Sequence, residues 1–402
     1  MSMDHADLES GRGNARIGRI RLRIALGLVG VAALALSGCS STSSGSRGDG
    51  GTGDVGGGGT TSQAQLAAAH AAVATALQTA DKLPITTPLK SKPAPGKTLA
   101  YLRCDATSCT DFNDALNIAT AAVGWKLKTL TFKNSDPSTL ISAMQDALRF
   151  SPTAVVLPGV DPKLWSTVVP AYEKAKVPLI TLTITGLPKL SSPLVPIGGD
   201  TYIAKQGEVL ANWFIDDSKG KGNALLMNLP LFPLFNSMKA AFENTVKKGC
   251  GGCRLKHLDI TYPQLLNQQI NPAVISELRK TRSINYVIAL SGTWVEGLAG
   301  QLQASGLTNQ ITIGAALARQ DNMADLLAGK AKVFTSQAEY VQAWMALDAA
   351  LRLAEGSPVS LDLYEQGPAI QVLTKENVGA PSASWDSPKD YAQQFKQLWH
   401  VG

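Results

Sequence analysis

The sequence predicts an α/β fold built on parallel sheets, and three observations lead there. First, short apolar runs recur from residue 98 onward, at 99–102, 127–132, 154–157, 179–182, 224–229, 286–290 and 311–315. They are nearly continuous in apolar character, as strands covered on both faces are. Second, stretches with helical periodicity lie between them, and such alternation puts helices on both faces of a parallel sheet. Third, about ten strands in a body of this length suit two sheets better than one.

The helices have legible starts. Asp136-Pro137, Asp161-Pro162 and Asn271-Pro272 each set a capping side chain before a proline at the first helical position. After Pro137, the residues Leu140, Ile141, Met144, Ala147 and Leu148 form one apolar stripe. Residues 340–353 repeat that pattern, and 390–399 read as an extra amphipathic helix. Ligands of parallel sheets bind beyond the carboxyl ends of the strands. The candidate loops are therefore 103–111, 158–161, 183–186, 230–236, 291–296 and 316–321.

Ahead of this body, Arg12, Arg16, Arg19, Arg21 and Arg23 precede an apolar run at 24–36, which ends in Leu36-Ser37-Gly38-Cys39. A basic segment, an apolar run and small residues make a secretory signal. Thirteen residues span about 20 Å as a helix, short of a bilayer's core. The ending resembles the bacterial lipobox, which implies cleavage before Cys39 and a diacylglycerol thioether on its sulfur. The expected organisation is a leader at 1–38, then the lipidated Cys39 and a Gly/Ser tether to residue 61. The tether's glycine runs follow no strand and precede no Gly-Lys-Ser/Thr, so they are not a phosphate loop. An Ala-rich helix and a proline-containing linker fill 62–96.

Composition excludes several classes. The leader carries five Arg against three acids, so the remainder keeps +4 of the chain's +6. That is no footprint for nucleic acid. No later apolar run reaches the length of a membrane span. Beyond the leader the histidines are His70, His257 and His400, and HExxH, GxSxG and Walker motifs are absent. Neither an enzyme nor a metal site is expected, and no cofactor. Cys104, Cys109, Cys250 and Cys253 allow three pairings. An oxidising compartment favours disulfides. Cys250-Gly251-Gly252-Cys253 follows a helix, whereas a redox CxxC opens one. Local bridges 104–109 and 250–253 are expected.

The order of the pieces resembles type I periplasmic binding proteins, the ribose-binding-like receptors of ABC importers. The matching stretches are DPSTLISAMQDALRFSPTAVVLPGVDP, YEKAKVPLITL, IGGDTYIAKQGEVLANWF, GNALLMNLP with MKAAFENTV, NYVIALSGTWVEGLAGQLQASG and TKENV. The resemblance covers about 98–378. It implies two Rossmann-like lobes joined by three hinge crossings that close on a ligand. By position the first lobe is 97–183 plus 338–366, the second 184–337 plus 367–380, and 381–402 is a helical tail.

Sugar receptors of that family grip hydroxyls with charged and amide side chains. Asp161 matches the acid in the loop after the third strand, with a plain helix cap as its other reading. Gln337 matches a hinge glutamine that contacts ligand. Elsewhere the chain departs: Thr183-Ile184 stands for Asp-Arg, Ser291-Gly292 for Asn-Asp, Ala316 for Asp and Asn236 for Arg. Ser108-Cys109 stands near the aromatics of the first loop, beside Asp105. These losses remove charge, while Phe232, Phe235 and Trp294 sit in candidate loops, so a less polar ligand is expected. The ligand set is Asp105, Ser108, Asp161, Thr183, Phe232, Asn236, Ser291, Trp294 and Gln337. The resemblance implies a monomeric, lipid-anchored solute receptor outside the cytoplasm, partnered by an ABC permease. A ligand sensor of the same fold is the alternative, and a secreted enzyme or redox protein a weaker one.

Overall fold

The computed structural model describes residues 55–56, 59–187, 194–307, 311–379 and 385–402. The leader, Cys39 and most of the tether lie outside the described residues. Among the described residues no helix is long and apolar enough to cross a membrane.

The described chain begins with β1 (Val55–Gly56) and α1 (Gln63–Ala76). Ser62 and Gln65 cap α1 reciprocally, each side chain accepting from the other's backbone N–H. The first lobe follows. It alternates β2 (Thr98–Arg103), α2 (Thr107–Ala122), β3 (Lys126–Thr131), α3 (Pro137–Arg149), β4 (Ala154–Leu157), α4 (Val169–Ala175), β5 (Leu179–Leu182) and β6 (Leu194–Ile197). The five strands are parallel in the order β3-β2-β4-β5-β6. Apolar cores cover both faces, one around Leu99, Tyr101 and Ile180, the other around Leu102, Met144 and Trp165.

The second lobe runs through α5 (Asp200–Asp217), β7 (Asn223–Asn228), α6 (Pro233–Gly249), β8 (Arg254–Asp259), α7 (Tyr262–Leu266), α8 (Ile270–Lys280), β9 (Tyr286–Ala289), α9 (Leu298–Ala304), β10 (Thr312–Ala318), α10 (Gln320–Leu327) and β11 (Val333–Ser336). The chain returns to the first lobe with α11 (Glu339–Ala354) and α12 (Leu361–Glu365), and comes back again for β12 (Val372–Leu373). The last helix, α13 (Tyr391–Leu398), packs on the first lobe. The second sheet has the order β1-β8-β7-β9-β10-β11-β12, parallel except for its two edge strands.

Three expectations need correction, and a fourth holds in a shorter element than expected. The first lobe does not end at 183, because β6 pairs in parallel with β5, Leu182 opposite Ile197. A four-residue strand containing Pro196 carries too little apolar signal to be read alone. The tether is not free coil to residue 61. β1 pairs with the edge of β8, and the Thr61 hydroxyl donates to the Gly220 carbonyl at 2.8 Å. An unpaired strand edge offers donors and acceptors that a glycine-rich segment can reach. Asn271 does not cap α8. It lies inside the helix and donates to the Glu296 carbonyl at 2.9 Å. Asp161 does precede a helical turn, but that turn is only the three-residue 3₁₀ segment Pro162–Leu164.

The lobes are joined by the three crossings of the resemblance, at 198–199, 337–338 and 366–371, and by two more. At 77–83 the chain passes from α1, on the second lobe, to Leu83 and Ile85 in the first core. At 385–391 it passes from Trp385, in the second core, to α13. These two terminal straps bind each other. Ala80 N–H donates to Ser387 Oγ at 2.8 Å, Leu83 N–H to Gln394 Oε1 at 3.0 Å, and Leu89 N–H to the Leu398 carbonyl at 2.8 Å. Beneath them the buried Asp348 accepts from Arg352 Nε and Trp399 Nε1, both at 2.7 Å, and from the Tyr364 hydroxyl.

Candidate functional site

Parallel strands of both lobes point their carboxyl ends at one groove. Three contacts cross it. Tyr262, at the start of α7, donates its hydroxyl to Asp105 Oδ1 at 3.2 Å. Arg319, just past β10, places Nη1 2.9 Å from Asp111 Oδ2 on α2. Leu234 of α6 lies against Gly159 of the first lobe, where an added Cβ would meet its Cδ2 at 3.2 Å.

The second lobe's wall is aromatic. Tyr262 and Phe232 stand edge-on at 5.9 Å, Phe232 and Phe235 at 6.2 Å, and Phe235 and Trp294 at 4.6 Å. Such edge-to-face pairs add to area burial. Trp294 is only 2% exposed and joins the second core. It therefore backs the wall rather than offering a free face to the groove.

The remaining sequence-named residues divide. Asp105 accepts from the backbone and side chain of Asn134 at 3.2 and 2.9 Å, besides Tyr262. Ser108 sits in the first turn of α2, next to the 104–109 bridge, whose sulfurs are 1.99 Å apart. The 250–253 sulfurs are 2.00 Å apart, at the end of α6. Asp161 accepts from Lys163 N–H at 2.9 Å and so caps its turn. Thr183 has φ 52° and hydrogen-bonds the Leu182 carbonyl. Asn236 is exposed and braces the loop after β7, donating to the Pro230 carbonyl at 3.0 Å. Ser291 pairs with Thr293 at 2.9 Å. The Gln337 carbonyl accepts from Tyr202 at 2.8 Å and from Gln342 at 2.6 Å, a hinge role. Gly292 leaves room for Asn322, since a Cβ there would fall 2.0 Å from Asn322 Oδ1.

Sequence reasoning missed the charged end of the groove. Glu339, the first residue of α11, is 2% exposed, and its Oε1 has no hydrogen-bond partner. Burial, with Asp111 adding repulsion, pushes its carboxyl well above the usual glutamate range, although Arg319 pulls the other way. Burial likewise raises Asp111 and Glu296, each opposed by Arg319. Arg319 is 8% exposed, and its Nε is unpartnered. Its contact with Asp111 is an ion pair by distance, but the N–H is not aimed for a hydrogen bond. Asp111, Glu296 and Arg319 all lie in the candidate loops. Only their mutual approach was illegible. Among the described residues no group of three or more His, Cys, Asp or Glu is placed to hold a metal.

Comparison by sequence with curated proteins gives no match. The profile of a family described as "Periplasmic binding protein domain" matches residues 106–358. Solved structures of the same fold include a solute-binding protein from Burkholderia graminis in complex with D-arabinose. It is 17% identical, with a TM-score of 0.62, over 72% of this chain and 99% of that one. A solute-binding protein from Actinobacillus succinogenes with bound D-allose is 14% identical, with a TM-score of 0.61, over 70% and 98%. A glucose-galactose binding protein from Geobacillus stearothermophilus is 14% identical, with a TM-score of 0.59, over 71% and 100%.

Proposed function

Because the chain belongs to the periplasmic binding protein domain family, we propose that it is a solute receptor outside the cytoplasm, which captures a sugar or similar polyol between its lobes and hands it to an ABC permease. One observation carries the reading. Buried polar atoms without partners gather where the strands end: Nε of Arg103, the last residue of β2, Oδ1 of Asn228, the last residue of β7, Arg319 Nε after β10 and Glu339 Oε1 at the hinge. A buried polar group left unpaired costs about 1–3 kcal/mol. A polyhydroxylated ligand, whose hydroxyls both donate and accept, would pair all four.

The aromatic wall supports the same class, since it can cover the apolar face of a sugar ring. The family and the lipobox-like Leu36-Ser37-Gly38-Cys39 together support a receptor held to the membrane's outer face by lipid on Cys39. Binding is tested by the melting temperature of the purified chain against neutral pentoses, hexoses and polyols. A ligand at a hundred times its dissociation constant adds about 2.7 kcal/mol and raises the midpoint. If no sugar or polyol moves it, the reading fails. Labelling with a fatty-acid probe should mark the wild type and miss Cys39→Ala.

A further inference from the structure

Asp105 and Asp111, which contact the second lobe across the groove, both lie within the short stretch 104–111. Asp105 Oδ1 accepts from the Tyr262 hydroxyl at 3.2 Å, and Asp111 Oδ2 lies 2.9 Å from Arg319 Nη1. Two usual supports are missing from this stretch. Asp105 is exposed, so core packing does not fix its side chain. Helix α2 starts at Thr107, and the residue before it, Ala106, has no side chain that could cap it. The Cys104–Cys109 bridge closes a ring around both residues. Its inner side is anchored: Cys104 and Cys109 are buried in the first lobe's core, and the Cys109 carbonyl accepts from the buried Tyr101 hydroxyl at 3.1 Å. Its outer side carries Asp105, and Asp111 follows about half a helical turn further along α2. The other bridge, Cys250–Cys253, lies between α6 and the start of β8, at the end of that strand opposite the groove.

We infer that the Cys104–Cys109 bridge is a positioning element of the ligand groove: it fixes the backbone from which Asp105 and Asp111 reach Tyr262 and Arg319. The inference rests on the groove being the place where ligand is captured. A covalent ring restricts the loop whether or not ligand is present, so less conformational freedom is lost when the lobes engage. Asn134 reports the same placement from within the first lobe. Its backbone N–H and Nδ2 donate to Asp105 Oδ1 at 3.2 and 2.9 Å, so that amide is protected while the Asp105 carboxylate is in place. The two bridges close rings of similar size, with sequence separations of five and three. Chain entropy therefore assigns similar losses of stability to their removal. Only removal of the 104–109 bridge should also weaken binding.

The test uses the purified full-length chain, the paired change Cys104→Ala with Cys109→Ala, and the paired change Cys250→Ala with Cys253→Ala as control. Hydrogen exchange of the ligand-free proteins reads the Asn134 amide. Calorimetry reads affinity for D-arabinose, D-allose, D-glucose and D-galactose. In the first pair the Asn134 amide should exchange about tenfold faster, and the sugar that binds the wild type should bind about tenfold more weakly. In the control pair both quantities should stay within about twofold of the wild type. Tyr262→Phe supplies a readout that lost stability alone would not move. It should weaken binding in the wild type and in the control pair, but by less than about twofold where the 104–109 bridge is already gone, because both changes remove the same contact. Equal affinity losses in the two pairs, an unchanged Asn134 amide in the first, or additive effects of Tyr262→Phe would overturn the inference. So would a first pair that no longer folds, since the bridge would then hold the lobe rather than the loop. If none of the four sugars binds the wild type, the sugar reading falls, and the Asn134 amide still decides the role of the bridge.

Discussion

The two walls of the groove are built from opposite chemistry. The first lobe contributes carboxylates, Asp105 and Asp111, with Glu339 behind them at the hinge. The second contributes the ring series Tyr262, Phe232 and Phe235, backed by Trp294, and the cation Arg319. Neither wall is complete alone. The acids on one lobe find their cation on the other, so charge is balanced only where the lobes meet.

The contrast can be broken at its apolar side first. Trp294→Ala should destabilise the fold by about 3–5 kcal/mol, because the ring is part of a packed core. Urea unfolding would read this directly. A loss below 1 kcal/mol would mean that the ring faces the groove after all. Arg319→Ala comes next. It leaves the half-buried Asp111 without its partner and should cost about 2–3 kcal/mol of stability, with sugar binding weakened at least tenfold. Unchanged binding in a folded variant would remove Arg319 from the site.

Glu339→Gln sharpens the polar side through pH. An unfolded glutamate ionises in the ordinary range, whereas burial holds the native Glu339 protonated to higher pH. Between those two points the native chain binds more protons, so wild-type stability falls as pH rises through that window. Glutamine cannot ionise. The variant's melting temperature should therefore gain on the wild type as pH rises above the ordinary glutamate range, and the difference should vanish near pH 4. Parallel curves would show that Glu339 is fully compensated. The smallest effect belongs to Tyr262→Phe, which removes one hydrogen bond across the groove mouth. About 0.5–1.5 kcal/mol of ligand affinity should go, with the unfolding midpoint nearly unchanged.

The straps invite a second contrast, between hinge crossings that the resemblance implies and those it does not. The 62–96 and 385–402 segments pass between the lobes and are bonded to each other by at least six hydrogen bonds. Leu83, Ile85 and Leu89 are buried in the first core, so the proline-containing stretch is a packed element rather than a spacer.

What could be read from the chain by itself was whatever depends on neighbours in sequence. Strands buried on both faces announce themselves as apolar runs, so β2, β4, β5, β7 and β9 were legible. Asp136 caps α3 through Ser138 N–H, two residues away. The bridged cysteines are separated by five and three residues, short enough to favour local closure. Tertiary structure alone decided the rest. Asp111 and Arg319 stand 208 positions apart in the numbering and meet only because two lobes fold back on a shared hinge. Trp294 reads as a loop aromatic until packing buries it. Glu339 looks like an ordinary helix-start acid, and only the burial of α11 in the first core leaves its carboxyl oxygen without a partner. Periodicity records which face of an element is apolar. It carries no information about which distant element will cover that face, and in this groove that covering sets the chemistry.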